Sequence, residues 1–156
     1  MGAQAETLAA KFQQENDALI AAIEGLSDAQ WQALTNEEGW TVAATAHHVA
    51  GGHQAIAGLV QAHANGQGQP VSFAALNEGN AQHARQFKDA SKSEVLELMR
   101  SGGTAAAAIV HGLSDEQLAR TGQFADALPA MPVQNMIEMI LIGHVQGHGA
   151  SIRNAG

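Results

Sequence analysis

The sequence predicts an all-α protein, a four-helix bundle forming a single domain. The composition is rich in alanine, with no tyrosine and only three prolines. Long stretches are free of helix breakers, and helix-start signals stand where those stretches begin. A length of 156 residues suits one domain with one substantial core.

The first helix is expected over about Ala3 to Glu24, where Leu8, Phe12, Leu19 and Ile23 follow helical spacing and Gly25 can terminate it. Ser27-Asp28-Ala29-Gln30 has the form of a capping box and begins a short helix towards Leu34. Thr41 caps a second long helix to about Ala64, ended by the loop Asn65-Gly66-Gln67-Gly68-Gln69-Pro70. Another helix is expected from roughly Phe73 to Asp89. Ser91-Lys92-Ser93-Glu94 starts a third long helix reaching about His111, and Ser114-Asp115-Glu116-Gln117 repeats the short capped turn. A loop through Leu128-Pro129-Ala130-Met131 leads to Pro132, which fits the first turn of a final helix to about Arg153. Gly25-Leu26-Ser27-Asp28 and Gly112-Leu113-Ser114-Asp115 look alike, but a helix stop followed by a helix start accounts for both.

Charge and cysteine content narrow the function classes. With 15 acidic against 7 basic residues the formal charge is -8, and the few cations are scattered. That argues against a nucleic-acid surface, which needs clustered Lys and Arg. The absence of cysteine removes disulfides, thiolate ligands and an internal thiol nucleophile. Met1 to Leu8 has no basic region leading into an apolar run, so no signal peptide is expected. No apolar stretch reaches the roughly 20 residues of a membrane span. The expectation is a soluble, cytoplasmic protein with a small-molecule substrate and neither nucleic acid nor membrane as partner.

Chemistry concentrates in the eight histidines. His144 and His148 stand four apart near the end of the last helix, so both imidazoles can aim at one point. Val133, Met136, Ile137, Ile140 and Leu141 mark the apolar stripe of that helix, and its continuation brings both histidines onto the inward face. Two neutral imidazoles in a core need partners, because an unpaired buried polar group costs about 1–3 kcal/mol. A shared metal would satisfy both; hydrogen bonds to helix carbonyls or water would do so without one. A third imidazole from another helix would complete a three-ligand site with room for water or substrate. In the second long helix, Val42, Ala46, Val49, Ile56 and Val60 mark the buried stripe, with His48 near one margin, His53 near the other and His47 pointing away. Periodicity does not choose between His48 and His53. Gly51 and Gly52, with Gly143, Gly147 and Gly149, leave space for a ligand or for a close helix crossing. His63, His83 and His111 lie near helix ends or on polar faces, where exposed or capping roles are expected.

Gly39-Trp40-Thr41-Val42-Ala43-Ala44-Thr45-Ala46, with His48-Val49 beyond, resembles the motif of the DinB-like superfamily, also found in the N-terminal domain of mycothiol-dependent maleylpyruvate isomerases. There a Trp and a Ser or Thr open a helix, and a metal-binding His follows eight positions after the Trp. Counting eight from Trp40 gives His48. His144-Val145-Gln146-Gly147-His148-Gly149 resembles the family's second element, two histidines four apart on the last helix. Asn80 and Ser91-Lys92-Ser93-Glu94-Val95 look like its middle region, so the resemblance covers essentially the whole chain.

The resemblance implies a DinB-like four-helix bundle holding a divalent metal by His48, His144 and His148, with open positions facing a cleft. Imidazole suits zinc, nickel, copper and iron, and zinc or nickel is the expected ion. Members with assigned activity are S-transferases and isomerases using mycothiol, bacillithiol or glutathione, which implies a low-molecular-weight thiol co-substrate here. The chain departs from the pattern by placing His47 beside His48 and His53 where many relatives have an acidic or other polar group. His53 is accordingly the candidate for an outer-sphere or proton-transfer role, and Arg153 could anchor a carboxylate or simply be a solvated helix-end cation. The expected function is thus a metal-dependent thiol S-transferase. The alternatives are a metal-dependent hydrolase, a non-catalytic metal- or ligand-binding bundle linked to stress, and a bundle with no site. Homodimerisation through helix faces is compatible with such a bundle, although no apolar stripe demands it.

Overall fold

The computed structural model describes residues 2–156. Its helices are α1 (Ala3–Glu24), α2 (Asp28–Gln32), α3 (Val42–Ala64), α4 (Phe73–Gln86), α5 (Lys92–His111), α6 (Asp115–Ala119), α7 (Val133–Met136) and α8 (Gly143–Arg153). A six-residue π-helical turn, Ile137–Ile142, joins α7 to α8, so these three pieces make one long final helix. A two-residue antiparallel ladder pairs β1 (Thr121–Gly122) with β2 (Met131–Pro132), Thr121 opposite Pro132. No helix is long and apolar enough to cross a membrane among the described residues.

The four-helix bundle expected from the sequence is present, formed by α1, α3, α5 and the final helix. Around the bundle α1 packs on α5, α5 on α3, α3 on the final helix, and the final helix back on α1. The first and second long helices therefore sit on a diagonal, as do the third and fourth. Each diagonal step needs a long connection. Residues 25–41 supply one, carrying α2, whose buried Trp31 donates its indole N–H to the Ala90 carbonyl at 2.9 Å. Residues 112–132 supply the other, carrying α6 and the ladder.

Local signals set most helix starts. In both capping boxes the serine hydroxyl accepts from the third residue's N–H and the glutamine carbonyl oxygen accepts from the serine N–H, at Ser27 with Gln30 and at Ser114 with Gln117. The Thr41 hydroxyl accepts from the Ala44 N–H and donates to the Lys88 carbonyl, so one residue both caps α3 and ties it to the end of α4.

Two departures from the expected pattern matter for the site. The first is the π-helical turn. Extrapolating Val133, Met136, Ile137, Ile140 and Leu141 at 3.6 residues per turn puts His144 and His148 at the centre of the buried face. A π turn accommodates an extra residue, and each residue of an α-helix is about 100°. Everything downstream is thereby displaced by one position: Val145, Gly149 and Ile152 are buried, and His144 and His148 are half-buried at the margin of the core. The second is His53. The buried face of α3 runs Val42, Ala46, Val49, Ala50, His53, Ala57, Val60, Ala64. Once the alanines are counted His53 is at its centre, not its margin, and is 0% exposed.

Candidate metal centre

Three elements build the site. His48 comes from α3, His144 and His148 from α8, and the loop between α2 and α3 closes one side. His48, His144 and His148 each offer a ring nitrogen, and these atoms lie within 4.8 Å of one another. The Nε2 atoms of His48 and His144 share a hydrogen bond at 2.9 Å. His148 donates from Nδ1 to Glu38 Oε1 at 2.8 Å, which leaves its Nε2 as the free ligand atom. An ion bound tetrahedrally at 2.0–2.1 Å requires nitrogens about 3.3 Å apart, so small side-chain movements suffice. An imidazole whose second nitrogen is held by a carboxylate is the usual arrangement around such an ion, since the carboxylate fixes the tautomer and raises the basicity of the ligand. The donor set therefore fits a divalent cation.

Glu38 reaches His148 because its loop is folded tightly. The Thr35 N–H donates to the Trp40 carbonyl at 2.7 Å, and the Gly39 N–H returns to the Thr35 carbonyl at 3.1 Å. Gly39 adopts φ +70°, a left-handed conformation that glycine tolerates at no steric cost. The Asn36 amide anchors the loop to the Asn154 carbonyl at 3.0 Å, at the end of α8. Trp40 then stacks on His148, with centroids 6.4 Å apart and planes 20° apart, and meets His48 edge-on at 5.4 Å. On the other side, His144 lies against the backbone of α3 at Gly52, where an added Cβ would stand 2.7 Å from its Cε1. Only glycine allows that approach.

Burial pushes the His144 imidazole down to about 2, with the neighbouring imidazoles of His48, His148 and His53 adding to the effect. Burial likewise lowers His48 to about 4, reinforced by His148 and His83 and opposed by Glu38. Both rings are thus neutral near pH 7 and keep a lone pair for coordination. Burial works to raise the Glu38 carboxyl, but the Thr35 hydroxyl, His148 and other polar neighbours outweigh it and hold it below its ordinary value.

Two cavities of contrasting chemistry meet at Gly143, His144 and His148. One, about 540 Å³, is lined by Asn36, Glu37, Glu38, Ser151 and Asn154. The other, about 700 Å³, is an apolar cleft bounded by α3, α4 and the π turn, with His48 in its wall.

The remaining histidines divide differently from the sequence reading. His53 does not join the cluster and lines neither cavity. Its Nε2 bonds Asn16 Oδ1 at 2.7 Å, and the Asn16 amide donates to the Met99 carbonyl. His47 lies off the buried stripe of α3, as expected, but is half-buried by other contacts. It stacks on Phe87 at 3.8 Å, and its Nδ1 bonds His83 Nε2 at 2.8 Å. His83, expected on a polar face, is half-buried and lines the apolar cleft. His63, expected to be exposed or capping, is buried against Phe124 because the bare backbones of Gly68 and Gly122 admit its ring. Arg153 lines neither cavity. Glu38 escaped the sequence reading, although it lies two residues before Trp40.

The arrangement defines a class first: helical bundles presenting three histidines from two helices at a cleft. The sequence matches the mycothiol maleylpyruvate isomerase N-terminal domain over residues 12–141, and the chain belongs to that family. Among solved structures, a histidine-to-alanine mutant of the mycothiol-dependent maleylpyruvate isomerase superposes with a TM-score of 0.76 at 14% identity, covering 100% of this chain and 65% of that one. Another structure of the mycothiol-dependent maleylpyruvate isomerase gives 0.73 at 17% identity, covering 99% of this chain and 64% of that one. YfiT from Bacillus subtilis, described as a probable metal-dependent hydrolase with an unusual four-helix bundle topology, gives 0.76 at 19% identity, covering 97% and 86%. At these identities the likeness carries the fold alone. The chain spans just under two thirds of the isomerase chains. No curated protein matches the sequence.

Proposed function

We propose that this protein is a divalent-metal-dependent enzyme that activates a low-molecular-weight thiol for transfer to, or isomerisation of, an electrophilic small molecule. The observation that carries the reading is the convergence of His48, His144 and His148 where two cavities meet. These three side chains would hold the ion through Nε2, with zinc or nickel suited to imidazole ligands. A divalent ion lowers the pKa of a thiol bound to it, as it does for water, and so supplies a nucleophile near neutral pH. With no cysteine in the chain, the sulfur must come from a co-substrate.

The protein's own groups prepare that chemistry. Glu38 holds the His148 Nδ1 proton and turns Nε2 towards the centre. Trp40, against both His148 and His48, limits ring rotation. The two cavities offer each reactant its own approach, polar on one side and apolar on the other. His53 acts at a distance from the reacting atoms: through Asn16 and the Met99 carbonyl it ties α3 to α1 and α5. Its proposed outer-sphere role is thereby one of positioning.

A second reading, a metal-dependent hydrolase, is favoured by the likeness to YfiT and by the same absence of cysteine. Assays of the zinc- or nickel-loaded protein on electrophilic substrates and esters, with and without added thiol, separate the two. Turnover that requires both metal and thiol supports the first reading. Turnover with metal and water alone supports the second, and no turnover under any condition leaves a binding protein.

A further inference from the structure

The apolar cleft carries information about the ligand that the histidine centre does not. Four large hydrophobic side chains are exposed among the described residues, and three of them, Phe73 (40%), Leu76 (40%) and Met139 (62%), line this one cleft. Exposed apolar side chains gathered around one concavity mark a binding site more often than scattered ones do. Deeper in, Ile56, Leu59 and Phe124 continue the apolar wall. No Lys, Arg, Asp or Glu lines the cleft among the described residues, and its polar groups gather where His48, His83, His144, His148 and Asn80 stand. A volume of about 700 Å³ lies within the usual range for small-molecule sites, in which apolar walls supply affinity and a few convergent polar groups fix orientation.

We propose that the cleft binds an uncharged, hydrophobic small molecule, its apolar body against α4 and the π turn and its polar or reactive end at the histidines. Away from the histidines the walls hold no cation, so an anionic group lodged there would lose its hydration without compensation. A second copy of the chain is a poorer occupant. Three partly exposed side chains offer far less than the roughly 800 Å² per partner of a stable interface. The placement of the reactive end rests on the proposed metal centre; the preference for an uncharged body does not.

The test compares two probes of similar size, 1-naphthalenemethanol and 1-naphthalenesulfonate, titrated calorimetrically into the full chain, with bound zinc measured on the same samples. The expected result is binding of the alcohol at least tenfold tighter than the sulfonate. Leu76→Glu and Met139→Glu should each weaken the alcohol at least tenfold with zinc content unchanged. Gly79→Leu gives a second route, since a Cβ at Gly79 meets nothing within 4 Å and a larger side chain there narrows the cleft. It too should weaken the alcohol. Equal or tighter binding of the sulfonate, indifference to all three substitutions in folded protein, or a dimer in sedimentation that closes the cleft would each overturn the proposal. Failure to take up zinc, with the preference for the alcohol intact, would sink the metal reading alone and uphold the ligand class.

Discussion

Two groups of buried histidine chemistry lie in the same bundle, and they are built differently. His53 sits in the core of α3, edge-on to Phe12, with Nε2 matched to Asn16 and no cavity beside it. His48, His144 and His148 sit at the margin of the core, where ring nitrogens face one another, a carboxylate backs the third ring, and two cavities open. His53 finds a neutral amide for Nε2, while its Nδ1 is buried without a hydrogen-bond partner and opens on neither cavity. Three imidazoles whose ring nitrogens converge beside two cavities are arranged as ligands of a cation would be. Burial lowers the proton affinity in both places, so burial alone does not distinguish a ligand from a structural residue. The partners and the access do.

The largest contrast is expected from matched alanine variants. His144→Ala should lower zinc or nickel affinity at least a hundredfold in a competition assay, with little loss of stability. His53→Ala should leave affinity within a few-fold, but strand the buried Asn16 oxygen and cost about 2 kcal/mol or more in urea unfolding. If both variants lose metal and stability together, the two groups are not separate.

Glu38→Gln sharpens the metal side. Loss of the carboxylate that accepts from His148 should cost about 10–100-fold in affinity, the usual effect of such a partner. An unchanged affinity would make Glu38 a bystander. Gly52→Ala should act with opposite signs on the two properties. Alanine gains about 0.5–1 kcal/mol of helix stability over glycine, while its Cβ displaces the His144 ring. Thermal unfolding should hold or rise as metal affinity falls several-fold.

The smallest effect is the pH dependence carried by His53. Burial lowers its pKa to about 4, so the folded protein favours the neutral ring. The unfolded chain then binds more protons between about pH 6.5 and 4. The His53 contribution to stability should be complete above about pH 6.5 and be lost as pH falls through that window, by on the order of 3 kcal/mol at most. His48 and His144, which burial lowers as well, add losses of their own. His53→Leu should make this decline shallower in metal-free protein without abolishing it, and an unaltered slope would assign the acid sensitivity to His48 and His144.

Much of the bundle was legible because its signals are local. Thr41, Ser91 and the two Ser-x-x-Gln boxes mark helix starts to the residue, and Ala3–Glu24 and Val42–Ala64 have the expected bounds. The helix from Phe73 ends at Gln86, short of Asp89, because Phe87 already leaves helical geometry. The π turn left no mark in Ile137–Ile142, since ordinary helix-forming residues fill it. Its trace lies downstream, in the change of phase that buries Val145 and Gly149 in place of His144 and His148. His53 was misplaced because Ala50 and Ala57 define the face as much as the larger residues do. Glu38 and the His47–His83 pair depend on how a loop and α4 fold back on α3, and no spacing within one helix encodes that. Within the site, the Trp40 register separated His48 from His53 where the helix wheel left both open.

The central test is the metal content of untagged protein exposed to zinc or nickel, measured for wild type, His47→Ala and His48→Ala. Wild type and His47→Ala should each retain one ion per chain after dialysis, and His48→Ala should retain none. Equal retention by the two variants, or an empty wild type, would contradict a centre built on His48, His144 and His148.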